Sequence, residues 1–524
     1  MTDAPAFEDL GNNRVTGANR IADLKIRRNQ VLGSVSYFKD GWAGNHNIKT
    51  GGEVFRETST ANEGDGSYNS VVHILRNATP IEVYLLENPS TSENGMHAYG
   101  AYVNDTWRVS NRLSLNLGLR YDRYRNFLPD QEHPASRFNP TTIHFAAVDN
   151  LNTFDLFAPR LGATFDLAGN GKTVLKVSYG QYWWNPSYSL SSSVNPNAPQ
   201  WWRRYAWTDP NRNGVWDPGE QGQLLATRGG VTGESLDPDL QAAFTREAVV
   251  WVERELLPNF GVRTGFVWRG ERQQYQRLNA SQPFDAFNVP VVIPDPGPDG
   301  VRGNADDGAG IPGFNLSAAN AALAPSNVTR NVPNSDTNYY TWEITATRRM
   351  SRRWSLLGTF AYTWNNAQSS TFFDTGFRQN NLPITPNDLI NTGPNGQISF
   401  RDWSGKVHGT WEAPLGLKVT PILRHQAGQS FGRTFNASTN YGNVRIAAEP
   451  ITTRRQDNIT IVDLRFEKVF KVWSGSRFSP FLDLFNMLNA NPEQNITWSS
   501  GTSFLQPLNI VPPRLARIGA KFEW

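Results

Sequence analysis

Polar and apolar residues alternate along much of this chain with a period of two. The clearest case is residues 112–122. Leu113, Leu115, Leu117, Leu119 and Tyr121 fall on one face, and Ser114, Asn116, Gly118, Arg120 and Asp122 on the other. Such alternation is the signature of an extended strand with one apolar side. At about 3.3 Å per residue and a tilt near 45°, roughly 9–11 residues cross a bilayer core, whereas a soluble sandwich strand runs nearer five or six. Residues 97–109 pair naturally with this segment across the turn Ser110-Asn111, with Tyr99, Ala101, Val103, Asp105 and Trp107 on one side. The same pattern predicts strands at 30–39, 45–58, 71–76, 81–87, 158–167, 172–184, 242–255 and 261–271. It continues at 338–350, 354–364, 397–412, 416–426, 458–470, 477–488 and 515–524, which makes roughly 17 strands in all.

Connection lengths sharpen the fold class. Short turns at 110–111, 258–260 and 350–353 join strands into pairs, and long loops at 185–241 and 279–337 separate other pairs. Short turns at one end and long loops at the other describe an all-β, antiparallel transmembrane barrel of the outer-membrane kind, its long loops extracellular. Composition agrees. Mean hydropathy is −0.51, and no run approaches the 18 or so apolar residues of a membrane helix, as expected when every second residue faces water. Aromatic residues reach 12%, a supply that two interfacial girdles would use. Cysteine is absent, which excludes disulfides, thiolate catalysis and Cys-ligated metals. Net charge is +3 with both signs interspersed, so no nucleic-acid partner is indicated.

The last residues extend the argument. Ala516, Ile518, Ala520, Phe522 and Trp524 share one face, and Leu515, Arg517, Gly519, Lys521 and Glu523 the other. This ending resembles the C-terminal assembly signal of bacterial outer-membrane proteins, with Arg517 as its polar residue, then Gly519, Phe522 and Trp524. Ordered motifs over nearly the whole chain resemble the β-barrel part of TonB-dependent transporters of the Oar-like group. They are GNHNIKTGGEVFR at 44–56, YGAYVNDTWRVSNRLSLNLGLRY at 99–121, FAPRLGATF at 157–165 and TVLKVSYGQY at 173–182. LDPDLQAAFTREAVVWVEREL follows at 236–256, FLDLFNMLNAN at 481–491 and IVPPRLARIGAKFEW at 510–524.

The resemblance implies location in the outer membrane, contact with its lipid, and insertion by the barrel assembly machinery. It implies a plug and an energy-coupling protein in an intact homologue. Nothing here looks like a signal peptide, a carboxypeptidase-regulatory-like domain or a plug. Residues 1–524 are therefore expected to be an N-terminally truncated barrel domain, roughly 17 of the 22 strands of a large plugged transporter. The expected function is passage of a large substrate across the outer membrane, incomplete as given.

Several motifs offer chemistry. Residues 209–220, DPNRNGVWDPGE, meet every position of the calcium-loop template D-x-[DN]-x-[DN]-G-x5-E. Asp209, Asn211 and Asn213 would give side-chain oxygens, Val215 a carbonyl, Asp217 a water-mediated contact and Glu220 two oxygens. A polar turn of the same composition is the plainer reading. Asp295, Asp299, Asp306 and Asp307 form a second acidic loop that could gather on a cation, though its spacing fits no template. Structural Ca2+ is the one cofactor these loops suggest, and none is required. Trp201, Trp202, Arg203 and Tyr205, in WWRRYAW, could stack on a sugar or peptide; packing within the loop is the favoured reading. Inward charges such as Asp463, Arg465 and Glu467 would line a wet lumen as structural pairs. The seven histidines are dispersed, and no G-x-S-x-G elbow, P-loop or HExxH is present, so no enzyme is expected. A secreted or surface calcium-stabilised, carbohydrate-binding β-protein is the alternative. It explains the aromatics and acidic loops but not strand length, loop alternation or the terminal aromatic.

Overall fold

A computed structural model describes residues 4–11, 14–17, 21–64, 70–87, 89–197, 201–229, 234–368, 383–473 and 475–524. Fifteen strands form one antiparallel wall, each beside its neighbour in sequence. They are β1 (Ile21–Lys39), β2 (Asn45–Gly64), β3 (Ser90–Arg108), β4 (Leu113–Leu128), β5 (Val148–Asp166), β6 (Thr173–Trp183), β7 (Phe244–Leu257) and β8 (Phe260–Arg272). Then come β9 (Thr337–Ser351), β10 (Trp354–Gln368), β11 (Gln397–Ala413), β12 (Leu417–Gln426), β13 (Ile459–Lys468), β14 (Arg477–Phe485) and β15 (Leu515–Glu523). A two-residue strand, Phe470–Lys471, adds a short pairing to β14. Among the described residues, β1 pairs only with β2 and β15 only with β14, so the sheet is not closed.

All seventeen expected strands form, but two leave the wall. Val71–Arg76 and Thr79–Glu87 pair with each other in a separate six-stranded sheet. Their sequence explains this. Val71 packs with Val83, Leu85 and Trp207 on one side, while Val72 and Ile74 pack with Ala6 and Leu86 on the other. A strand buried on both faces reads as a continuous apolar run rather than an alternation.

The wall register shows why the remaining strands alternate. Val103 sits opposite Leu119, Asp105 opposite Leu117 and Trp107 opposite Leu115, so all six point the same way. Val103, Leu117, Leu119, Phe157, Leu161 and Val177 stay exposed on that face. In water this would be an aggregation surface; against lipid it is the solvent-matched side. Asp105, an acid on this face, is met by His46 Nδ1 at 2.6 Å, and the His46 ring stacks on Trp107 at 5.1 Å.

Short connections all lie at one end of the wall: 40–44, 109–112, 167–172, 258–259, 352–353, 414–416 and 469–476. One of the two-residue connections, Arg352-Arg353, has positive φ at both residues (50° and 68°), the twist that such hairpins require. Long connections lie at the other end: 65–89, 129–147, 184–243, 273–336, 369–396, 427–458 and 486–514. Much of their described length is folded into further strands. The six-stranded sheet runs in the order Gln221–Arg228, Trp201–Trp207, Thr79–Glu87, Val71–Arg76, Ala6–Asp9, Arg14–Thr16. The long connections also carry a separate three-stranded sheet and several two-stranded hairpins, and these, with the six-stranded sheet, make up a canopy at this end of the wall. Most buried apolar clusters sit in this canopy, not within the wall.

Candidate functional site: the lumen wall and its canopy

The inward rows are polar and paired. Arg120 on β4 reaches Glu53 on β2 at 2.5 Å and Asp122 at 2.6 Å. Lys176 meets Glu253 at 2.7 Å, and Arg269 meets Glu247 at 2.7 Å. At the C-terminal edge, Asp463 binds Arg424 at 2.7 Å, and Asp483 holds both Arg465 and Arg517 at 2.6 Å. The expected inward placement of Asp463, Arg465 and Glu467 follows from the β12–β14 register. Alternation makes this unavoidable: one face of each strand must suit lipid, so the other gathers the charges. Of the C-terminal motif, Arg517 is thus a lumen ion-pair partner. Gly519 lies under the Phe481 ring, where a Cβ would sit 2.4 Å from the ring edge. Phe522 is on the lipid-side row, opposite Phe478, and Trp524 follows it on the same side.

One feature had no sequence signal. After β6 the chain turns inward and lies along the inner face of β2–β4. Asn126 Nδ2 donates to the Ser187 carbonyl at 2.7 Å and to Ser191 Oγ at 3.0 Å. Ser191 Oγ donates to the Gly95 carbonyl at 2.8 Å. Asn195 Nδ2 donates to Ser92 Oγ, the Glu93 carbonyl and Asn94 Oδ1 at 2.9–3.1 Å. Asn197 Nδ2 donates to the Thr91 carbonyl at 2.8 Å. These partners lie 61 to 106 residues apart in sequence, so only the folded chain brings them together.

The WWRRYAW residues form an inner strand of the six-stranded sheet. Trp201 is buried and stacks on His133 at 3.8 Å; Trp202 packs edge-on against Tyr84 at 5.0 Å. Arg203 lies 4.1 Å over the Phe138 ring, and Tyr205 packs on the Val71–Trp207 cluster. Packing therefore takes most of this motif, leaving Trp202, Arg203 and Tyr205 half-exposed.

In the 209–220 loop, Asp217 Oδ2 accepts from Asn211 Nδ2 (2.9 Å) and Asn213 Nδ2 (2.7 Å). Asp209 Oδ2 accepts from the Gly214 N–H, and the Val215 N–H donates to Asn213 Oδ1, each at 2.9 Å. Glu220 Oε2 accepts from Trp207 Nε1 at 3.2 Å and from the Asp217 N–H at 3.0 Å. Asp209 Oδ1 is enclosed without a partner. The loop is anchored by His73, which is buried. Its Nε2 accepts the Trp216 N–H and its Nδ1 donates to the Ala6 carbonyl, both at 2.9 Å. Burial holds this imidazole below the usual histidine range, an effect the Ala6 carbonyl only partly offsets.

The second acidic loop does not gather as a unit. Asp295 turns away to Arg433, which donates from Nη1 at 2.8 Å and Nη2 at 2.5 Å; both side chains are buried. Arg433 also donates to the Gly297 carbonyl (3.0 Å) and Ser500 Oγ (2.9 Å), so it joins three long loops. Asp299 and Asp307 accept backbone N–H groups of Val301 and Gly303 at 2.8 and 2.7 Å; Asp306 accepts the Asp299 N–H at 3.3 Å. Among the described residues, no three His, Asp or Glu side chains converge as a metal cluster. Chemically, the inner face offers paired charges and hydrogen-bonding side chains.

A wall with a lipid-suited outside, a charge-paired inside and loops sorted by length to opposite ends defines an outer-membrane β-barrel. The family model for the outer membrane beta barrel domain matches residues 28–429, and the chain belongs to that family. It resides in the outer membrane. The chain is similar to the TonB-dependent transporter Oar of Myxococcus xanthus, 23% identical over 238 residues, 40% of this chain and 20% of that protein. Among solved structures it resembles the outer membrane transporter YddB from Escherichia coli, with TM-score 0.55 and 12% identity over 95% of this chain and 54% of that one. The ferric-catecholate import receptor Fiu from E. coli K12 is also similar, at TM-score 0.49 and 11% identity over 96% and 55% of the two chains. The chain thus spans about a fifth of the curated relative and about half of these structures. These relatives are transporters or receptors rather than enzymes, and the soluble carbohydrate-binding alternative is not favoured.

Proposed function

We propose that this chain supplies wall and outer mouth to a TonB-dependent transporter that passes a large substrate across the outer membrane. A plug in the lumen, moved by an inner-membrane energy-coupling protein, would control passage. The observation that carries this reading is the inward face, with ion pairs from Glu53–Arg120 on β2 and β4 to Asp483–Arg517 on β14 and β15. Such a face needs water or a polar protein domain against it, and lipid would penalise it heavily. Among the described residues the outer edges of β1 and β15 have no pairing partner, which supports a longer wall, since each unpaired amide costs several kcal/mol in hydrocarbon. A plugged barrel of 22 strands needs about seven more than these fifteen. The proposal predicts that residues 1–524 alone give neither stable insertion nor selective uptake in liposomes. Both together would overturn it.

We further propose calcium for the 209–220 loop, favoured by the unpartnered Asp209 Oδ1. Asp209→Ala with Glu220→Ala should abolish calcium-dependent protection of this loop from protease. Unchanged protection would dismiss the site.

A further inference from the structure

The chain holds four Asn-Gly dipeptides, at 94–95, 170–171, 213–214 and 395–396. An asparagine amide is open to attack by the backbone nitrogen of the residue that follows it, and glycine presents that nitrogen with no Cβ in the way. The four sites differ in what surrounds the reacting atoms. In the 209–220 loop, the Val215 N–H donates to Asn213 Oδ1 at 2.9 Å, an Asx turn that lays the amide carbon alongside the intervening Gly214 nitrogen. The Gly214 N–H donates to Asp209 Oδ2 at 2.9 Å. A base on the nucleophile and a backbone donor on the carbonyl oxygen are the two parts of an acyl-transfer site. Both residues are exposed, Gly214 has φ 77°, and a Cβ built on it would meet nothing within 4 Å, which leaves room for a ring and for water.

The turn at 167–172 repeats the arrangement. The Lys172 N–H donates to Asn170 Oδ1 at 3.0 Å, and the Gly171 N–H to Asp166 Oδ2 at 2.7 Å. The other two dipeptides lack it. Asn94 is buried, its Oδ1 accepts from Asn195 Nδ2, and Gly95 is held in the β3 ladder. The Gly396 N–H donates to the Gly393 carbonyl rather than to a carboxylate.

We propose that Asn213, and Asn170 by the same geometry, are self-modification sites that become acidic residues in the folded protein. The Gly214 nitrogen bonds to Asn213 Cγ, and the proton it loses passes through Asp209 Oδ2 to Nδ2. The Cγ–Nδ2 bond breaks and Nδ2 departs as ammonia, leaving a cyclic imide. Water opens the imide at Cγ to give aspartate, or at the backbone carbonyl to give isoaspartate. No oxidant or reductant takes part. The consequence at 213 rests on the calcium reading. Asn213 Nδ2 is one of two side-chain amides that donate to Asp217 Oδ2, the other being Asn211 Nδ2. Conversion replaces that donor with a carboxylate, beside Asp209, Asp217 and Glu220. The unmodified loop closes on its own hydrogen bonds; the modified one needs a hard cation to hold its acids together.

Peptide mapping by mass spectrometry tests it, on protein extracted folded from outer membranes and aged at neutral pH with a calcium chelator. The same protein unfolded in urea gives the baseline of each dipeptide. Positions 213 and 170 should convert faster in the folded chain than in the unfolded one, and 94 and 395 slower. Asp209→Asn should slow conversion at 213 about tenfold or more, part of the roughly 10²–10⁴ that a positioned base contributes, and leave 170 unchanged. Asp166→Asn should do the reverse. Conversion at 213 no faster in the folded chain than in the unfolded one, or unchanged by Asp209→Asn, would overturn the proposal. The folded-against-unfolded comparison needs no variant, so a loop loosened by substitution does not blur it. Added calcium should then protect the 209–220 loop of aged protein from protease more than that of fresh protein. Conversion without that gain supports the proposal and counts against the calcium reading alone.

Discussion

Single residues fasten the canopy, and two of them give measurable consequences. Arg433 and Asp295 form a buried bidentate pair, so removing one partner strands the other charge. Arg433→Ala should destabilise the canopy by about 3–5 kcal/mol, read as earlier thermal loss of protease resistance in the long loops. Replacing both residues by leucine should recover much of that loss, because no lone charge remains. His73 gives a pH dependence of defined sign. Its folded value is depressed, so the unfolded chain binds the proton more readily. The stabilisation is complete above about pH 6.5 and is lost as pH falls through the lower folded value. Below that point the Trp216 N–H loses its acceptor. Proteolysis of the 209–220 loop should rise on acidification, and His73→Phe should flatten the profile. Neither residue is legible as a keystone in sequence. Arg433 and Asp295 are 138 residues apart, and an isolated histidine in an apolar run carries no mark of its partners.

At the scale of elements, the wall was almost fully legible. Lipid on one side and charge on the other force a period of two, and Leu113 to Tyr121 show it without interruption. Strand ends were less so, because β3 and β4 continue beyond the membrane band into the canopy, where Met96 and Asn126 are buried. The inward-folded segment after β6 was invisible because serines and asparagines compose both ordinary loops and well-satisfied buried networks. The two faces of a strand should respond differently to charge. Leu117→Arg on the lipid side should cost about 2–4 kcal/mol near the midplane, measured by reversible unfolding from bilayers. Asn116→Arg, one residue away on the polar side, should cost little.

At the scale of the whole molecule, alternation and loop lengths were enough for the architecture, and the ordered motifs were enough for the family. The union of the long loops into one roof was not readable, since strand pairing across loops depends on contacts that no local pattern encodes. Trp201–Trp207 pairs with Thr79–Glu87, more than a hundred residues earlier, and Ala6–Asp9 joins the same sheet. The roof therefore has a bearing on how this surface can change over generations. Separate hairpins can each be rewritten by substitution or insertion without regard to the rest. Here a change at Arg433 is felt in three connections at once, and a lengthened Trp201–Trp207 strand must be accommodated by its neighbours in sequence-distant loops. Escape from whatever recognises the cell from outside would have to proceed by concerted sets of substitutions, or be confined to the hairpin tips that stand clear of the shared sheet.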